Sequence, residues 1–412
     1  MAHSSSEAPS EASAVQCAPI PVISTAAFDA DPHGVIRKYR SQTPLLQRED
    51  GSYVVIGARD AEMLITDPRT RQLETELIRA RGVKSGALFE FFDNTMLLSN
   101  GPLHRRRRSP MSRAFAFRVV EEIRPRIRAI ANELLDGVFT QGQMNFLDQY
   151  AAQIPARLIS EIIGISAQDI PRFTAWVYQL TRALSVSFRN DDIPEIESAT
   201  MQLRDYVADL IADRRANPRQ DFLSLFVMET DEHGALSPTE AVVQVMSIIV
   251  GGSDTTRAAI TMMVGLLLTH RDQWNEVVRN ADLIQGAVLE SLRYDAVIAS
   301  IPRVSVTDIA ISGHTVPANR ILSLSTLAML RDPDVYSEPE RFDIHRTDHP
   351  RRHPIFGGGV HRCLGELLAR AEMEEALAVL VNRLPSLQLV GNAPTLHGHS
   401  GLRRIDGMQV AW

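Results

Sequence analysis

Cysteine is nearly absent: Cys17 and Cys363 are the only two in 412 residues. Two thiols so far apart make neither a disulfide framework nor a zinc cluster. No apolar run reaches the roughly 18 residues of a membrane span, and the N-terminus has no apolar stretch of the signal-peptide kind. A net charge of −7 excludes a general affinity for nucleic acid. No Gly/Ser/Pro-rich linker or composition break divides the chain after residue 25, no internal repeat is present, and no Rossmann-type glycine fingerprint follows a strand. These absences predict a cytoplasmic protein in which residues 21–412 form one domain, with no flavin or iron–sulfur unit of its own. Residues 1–20 are low in bulky apolar side chains and are expected to be a disordered tail that includes Cys17.

What is present reads as mainly α with a small β portion. Apolar periodicity predicts helices over 118–137, 150–164, 167–187, 196–215, 238–269, 281–294 and 365–384. Strands are expected at Tyr53 to Ile56, Val304 to Ile311 and Arg320 to Ser325. The helix over 238–269 has the clearest start, because Ser237-Pro238-Thr239-Glu240 is a capping box with proline at the first helical position.

Near the C-terminus, Phe356-Gly-Gly-Gly-Val-His-Arg-Cys363-Leu-Gly365 puts one cysteine in a glycine-rich loop that runs into a helix. Tight glycine turns can aim backbone N–H groups at the sulfur, Phe356 can shield it from water, and Gly365 lets the helix approach a flat ligand. Such a protected thiolate suits an axial position on haem iron, where it favours O–O cleavage. Alone, an intracellular cysteine is more often a small buried hydrophobe. The whole pattern resembles the cytochrome P450 family of haem-thiolate monooxygenases in its short soluble bacterial form, with His361 two positions before the cysteine. The resemblance implies the P450 fold, heme b held by Cys363, and dioxygen as co-substrate.

Further segments match that family in the required order. Gly251-Gly252-Ser253-Asp254-Thr255-Thr256 interrupts a long apolar helix. An acid and an alcohol have no place in a core unless partnered, and the resemblance makes Asp254 and Thr255 the pair that delivers protons during oxygen activation. Glu290 and Arg293 lie three apart on one helical face. The resemblance adds Arg341, from Glu338-Pro-Glu-Arg341-Phe, to give a buried structural network. His104 and Arg108, four apart, together with Arg303 and His361, are the matching positions for the haem propionates, and arginine's planar fork suits a carboxylate. Pro110 predicts a kink or an early end to the helix carrying Arg108. Gly251 stands where alanine is common, and Leu330 where asparagine is usual.

The resemblance places Phe91, Phe92, Met96, Leu97, Ser247, Val250, Gly251, Ile298, Ala299 and Leu402 over the haem. Most are apolar, as ligand pockets generally are, so a terpenoid, aromatic or alkyl substrate is expected. Electrons must come from outside the chain: a ferredoxin with its NAD(P)H-dependent reductase is implied, a flavodoxin being the alternative. Arg105, Arg106, Arg113, Arg362 and Arg370 are candidates to steer an acidic partner toward the cysteine face of the chain, which is expected to be a monomer. Competing readings are a peroxide-driven peroxygenase, a haem sensor without turnover, and a cysteine hydrolase with a histidine base beside Cys363.

Overall fold

The computed structural model describes residues 19–114, 117–184, 188–234, 236–399 and 401–412, so almost all of the expected tail, with Cys17, lies outside the described residues. In chain order, the helices that build the site are α1 (Ala87–Asn94), α2 (Gly101–Ala114), α3 (Phe117–Val138), α4 (Gln153–Ile163), α5 (Ile170–Arg182), α6 (Ile193–Ala216), α7 (Phe222–His233), α8 (Pro238–Thr269), α9 (Ile284–Tyr294) and α10 (Glu366–Arg383). None of the described helices is long and apolar enough to cross a membrane.

Helix α8 organises the molecule. The Ser237 hydroxyl accepts from Glu240 N at 3.2 Å and Glu240 accepts from Ser237 N at 3.0 Å, so the predicted box closes in both directions. Glu240 also takes Arg106 and Arg107 from α2, at 2.5 and 3.0 Å. The first half of α8, Ala241 to Val250, belongs to a core shared with residues of α1 and α4 to α7. The second half, Ala258 to Leu268, belongs to another core, shared with α3, α9 and α10. Each fully buried Leu, Ile or Val contributes about 1.5–3 kcal/mol, so α8 is fixed from both sides. The stretch Gly251 to Arg257 falls at the seam between the two cores, which is where a polar cluster is tolerated.

The strands form a six-stranded sheet from β1 (Val22–Ile23), β2 (Leu45–Arg48), β3 (Tyr53–Val55), β4 (Thr70–Arg71), β5 (Ser300–Ser305) and β6 (Ile321–Ser325), in the order β1-β2-β3-β6-β5-β4. Leu322 of β6 pairs in parallel with Tyr53 and antiparallel with Arg303. The expected single strand from Val304 to Ile311 is corrected: β5 starts four residues earlier, ends at Ser305, and Ile309–Ile311 forms a separate hairpin with His314–Val316. Pro302 disguised the strand. It is accommodated because β4 pairs β5 only at Val304 and Ser305, so Pro302 sits on a locally free edge.

The helix expected over 150–164 is a π-helical turn, Leu147–Ala151, followed by α4. Pro110 lies inside α2, which continues to Ala114, so the expected early end is corrected as well. Arg108, two residues before Pro110, still projects toward the cysteine loop, donating to Arg362 O at 2.6 Å.

Candidate active site

The cysteine loop is held by its own backbone. Gly357 and Gly359 adopt φ of +67° and +59°, a region that L side chains rarely enter, and Cys363 N donates to Phe356 O at 2.8 Å. Arg362 ties the loop further, donating to Gly357 O at 3.1 Å and pairing with Glu366 at 2.7 Å. The result aims the Cys363 sulfur into a cavity of about 340 Å³. The sulfur is exposed to this cavity although it lies deep in the protein. Burial pushes the thiol up, partly opposed by the Gly365 N–H and by Arg108 and Arg362. No hydrogen bond joins a histidine to this sulfur among the described residues, so the hydrolase reading finds no cysteine–histidine pair.

Across the cavity from Cys363, α8 presents Ser247, Gly251, Gly252, Thr255 and Thr256, while α10 supplies Leu368, Glu372 and Met373. A β-carbon added at Gly251 or Gly365 would meet nothing within 4 Å, so both glycines leave the space open. Two of the three lining hydroxyls on α8 are already engaged. Thr255 Oγ1 donates to Gly251 O at 2.8 Å, and Ser247 Oγ donates to Val243 O at 2.6 Å while sharing a 2.7 Å bond with Thr95 Oγ1. Asp254 does not line the cavity; it is ion-paired with Arg257.

Cationic and donor groups gather on one side. Arg303 is 3% exposed and has no carboxylate partner among the described residues; it donates to Gln72 Oε1 at 3.0 Å and to Ile65 O at 3.0 Å. Burial lowers its pKa to about 10. His104 is 1% exposed, and neither ring nitrogen has a hydrogen-bond partner among the described residues. Its ring centroid lies 3.9 Å from that of His361. Burial, then Arg108 and Arg105, lowers the His104 pKa to about 4, and burial with His104, Arg303 and Arg108 lowers that of His361 to about 3. A buried guanidinium without an anion and a buried imidazole without a partner are costly unless an acidic group joins them. The propionates of a haem would supply such acidic groups here.

The structural network differs from expectation in one member. Glu290 meets Arg293 twice at 2.7 Å, with both side chains at zero exposure. Arg341 does not join them: its side chain is 60% exposed and pairs with Glu338 at 3.3 Å. Arg346, five residues on, takes the expected place, with Nε 3.3 Å from Glu290 in an ion pair too poorly aligned to be a hydrogen bond. Only the carbonyl of Arg341 contributes, accepting from Arg293 at 2.9 Å. The carbonyl of Leu330 does the same at 3.1 Å, which accounts for the tolerance of leucine there.

Of the expected pocket residues, Met96, Leu97, Ser247, Gly251 and Ile298 line the cavity. Phe91, Phe92, Val250, Ala299 and Leu402 do not. Phe91, Phe92 and Val250 are buried in the core around the first half of α8, Ala299 in the core around the second half, and Leu402 forms a backbone bridge to Ile298. The sequence reading missed Ile159 of α4, Leu292 of α9, and Leu368, Glu372 and Met373 of α10. Glu372 is fully buried, so its carboxyl is pushed well above the usual range. No sequence signal set it apart, because Arg370, Glu374 and Glu375 surround it and the segment reads as a charged helix face. Among the arginines expected to steer a partner, Arg106 is held by Glu240, Arg113 by Glu229 at 2.7 Å, and Arg362 by Glu366. Arg105 and Arg370 have no ion pair among the described residues.

The Cytochrome P450 family model matches residues 75–398. The chain is 43% identical over 383 residues to cytochrome P450-pinF1, plant-inducible, of Rhizobium radiobacter, covering 93% of this chain and 90% of that protein. It is 36% identical over 298 residues to the vitamin D(3) 25-hydroxylase of Pseudonocardia autotrophica, covering 71% of each. Among solved structures, P450BioI in complex with an acyl carrier protein superposes with a TM-score of 0.85 at 28% identity, covering 94% of this chain and 100% of that one. CalO2 superposes at 0.86 and 27% identity, covering 94% and 97%. A thiol aimed into a cavity beneath an acid–alcohol helix, in a chain that shares this fold and these relatives, belongs to the cytochrome P450 family of oxygen-using monooxygenases.

Proposed function

We propose that Cys363 is the axial thiolate of heme b and that the enzyme hydroxylates a small to medium hydrophobic molecule in the cytoplasm, using electrons from NAD(P)H passed through a ferredoxin and its reductase. The observation that carries this reading is the convergence of Arg303, His104, His361 and Arg108 beside the cavity that Cys363 faces. Arg303 and Arg108 would hold the propionates as charged partners, with His104 and His361 as single donors. Gly365 and Gly251 leave room on either side of the ring. When bound, the haem supplies an electron-rich iron at which dioxygen is activated.

The chain's own residues set the rest. Met96, Leu97, Ile248, Val297 and Ile298 exclude water and present an apolar wall, and the Ser247 and Thr255 hydroxyls are spent on backbone carbonyls. Recognition therefore rests on shape and apolar burial, with the Thr256 hydroxyl as the polar anchor left on α8, which supports an uncharged substrate. Thr255, facing the cavity, and Asp254, the next acid, are the proposed carriers of protons. The ferredoxin is proposed to dock on the cysteine face. There Val360 and Leu367 are 61% and 43% exposed, and Arg105 and Arg370 are the cations left for an acidic partner.

The test is reconstitution with a ferredoxin, its reductase and NAD(P)H against a panel of neutral hydrophobic compounds chosen by spin-state titration. Compounds that shift the spin state should be converted to hydroxylated product. Added salt should slow haem reduction, because the Debye length shortens to about 3 Å at 1 M. Arg105→Glu and Arg370→Glu should weaken ferredoxin binding without changing substrate affinity. NAD(P)H consumption that never yields product would contradict the assignment, and reduction indifferent to salt and both variants would remove the docking face.

A further inference from the structure

Asp254 and Thr255 are consecutive, yet α8 sends them to different places. Thr255 lines the cavity, whereas the Asp254 carboxylate is turned to Arg257 three residues on. The Arg257 guanidinium lies 4.3 Å from the centroid of the Tyr178 ring, on α5, which packs against α8. Tyr178 Oη is buried without a hydrogen-bond partner among the described residues. Burial pushes this phenol up to about 12, so it remains a donor at neutral pH. One turn earlier on the same helical face, Thr174 Oγ1 is buried and unpartnered too. Buried hydroxyls without protein partners are rare in folded proteins, and ordered water normally completes them. Two of them lie on one face of α5, and one belongs to the ring that covers the Arg257–Asp254 pair, so a donor is left for water beside α8.

We propose that Tyr178 and Arg257 are positioning residues of a proton inlet that holds Asp254 against water between α5 and α8, outside the cavity that Thr255 faces. This rests on the reading that Asp254 and Thr255 carry protons. Inserting one oxygen atom of dioxygen into a C–H bond, with the other released as water, takes up two electrons from the redox partner and two protons from solvent. Those protons must pass α8. Arg257 fixes the direction of the carboxylate, the Tyr178 ring covers the guanidinium, and the Tyr178 hydroxyl orders the water that reaches Asp254. The Asp254 carboxylate takes a proton from that water and passes it toward Thr255, returning each time to the ion-paired carboxylate. A surface ion pair of no further consequence would leave proton-dependent readouts untouched when Arg257 or the Tyr178 hydroxyl is altered.

The experiment compares the holoenzyme carrying Tyr178→Phe, Arg257→Gln, Arg257→Lys or Thr255→Ala with the unaltered chain, reconstituted with ferredoxin, reductase and NAD(P)H. Tyr178→Phe keeps the ring and removes only the hydroxyl. Tyr178→Phe and Arg257→Gln should each raise the share of electrons lost to peroxide by about threefold or more and enlarge the solvent isotope effect on product formation. Arg257→Lys should restore both, and substrate dissociation constants and the carbon monoxide spectrum should stay unchanged. A high-resolution crystal structure of the unaltered protein should show ordered water within hydrogen-bonding distance of Tyr178 Oη and continuous to Asp254. A dry Tyr178 hydroxyl, or unaltered coupling and isotope effect in Tyr178→Phe and Arg257→Gln, would overturn the inlet. If Arg257→Gln fails to take up haem, Tyr178→Phe alone decides. Uncoupling in Thr255→Ala without any change in the other variants removes the inlet and leaves the proton role of Thr255 standing. Full coupling in Thr255→Ala removes both.

Discussion

Glu290 illustrates how much of the site depends on single side chains that never touch a substrate. Its carboxylate accepts from Arg293 twice and from the backbone N–H of Asp343 at 2.8 Å, and Arg346 lies beside it. Arg293 in turn reaches the carbonyls of Leu330, Pro339 and Arg341, so one ion pair stitches α9 to the segment that leads into the cysteine loop. Removing one partner of a buried pair leaves the other charge uncompensated. Arg346→Ala removes only the weaker partner of Glu290 and keeps the Arg293 pair, so it should destabilise the protein by less than a full loss, about 1–3 kcal/mol. Arg341→Ala, at an exposed position, should change stability by no more than about 0.5 kcal/mol. Urea unfolding of the two variants checks this, and a larger loss for Arg341→Ala would restore the role that sequence resemblance gave it. The segment Glu338-Pro-Glu-Arg341-Phe matched the family pattern by residue type, but two arginines stand within five residues of each other. Only burial, 4% against 60% side-chain exposure, separates them.

At the scale of elements, helices were legible where their ends carried chemistry. Both partners of the α8 capping box are local, three residues apart, and its bounds follow from the sequence with no tertiary information. The same Glu240 also neutralises Arg106 and Arg107 from about 130 residues away, a long-range duty that no local pattern signals. That duty explains why a run of four arginines is not simply a solvated basic face. Strands were read less well. Pro302 and the three-residue break after Ser305 shifted the expected strand by four residues, because strand stability comes from partners such as β6 rather than from the segment itself. The cavity followed the same division. Gly251, Thr255, Cys363 and Gly365 came from motifs, whereas Ile159, Leu292 and Met373 look like ordinary core residues until the helices that carry them are assembled.

For the whole molecule, buried neutral histidines make stability depend on pH. His353 is fully buried, and burial with nearby His349 lowers its pKa to about 3. His399 is also fully buried, and burial with Arg48 and Arg403 lowers its pKa well below 6.5. In the unfolded chain both bind a proton near 6.5; in the folded protein they do not until the pH is far lower. Their stabilising contribution is thus complete above about 6.5 and is lost as pH falls below it, since the unfolded state then binds more protons. The thermal midpoint should already decline between about pH 6.5 and 5, above the range where paired carboxylates are protonated. A flat profile there would mean that these histidines charge within the fold. The role of Cys363 is read from the spectrum of the reduced carbon monoxide complex. The unaltered protein should show the red-shifted Soret band of a haem-thiolate protein, and Cys363→Ser should lose it. A band that persists unchanged in Cys363→Ser would mean that another group holds the iron.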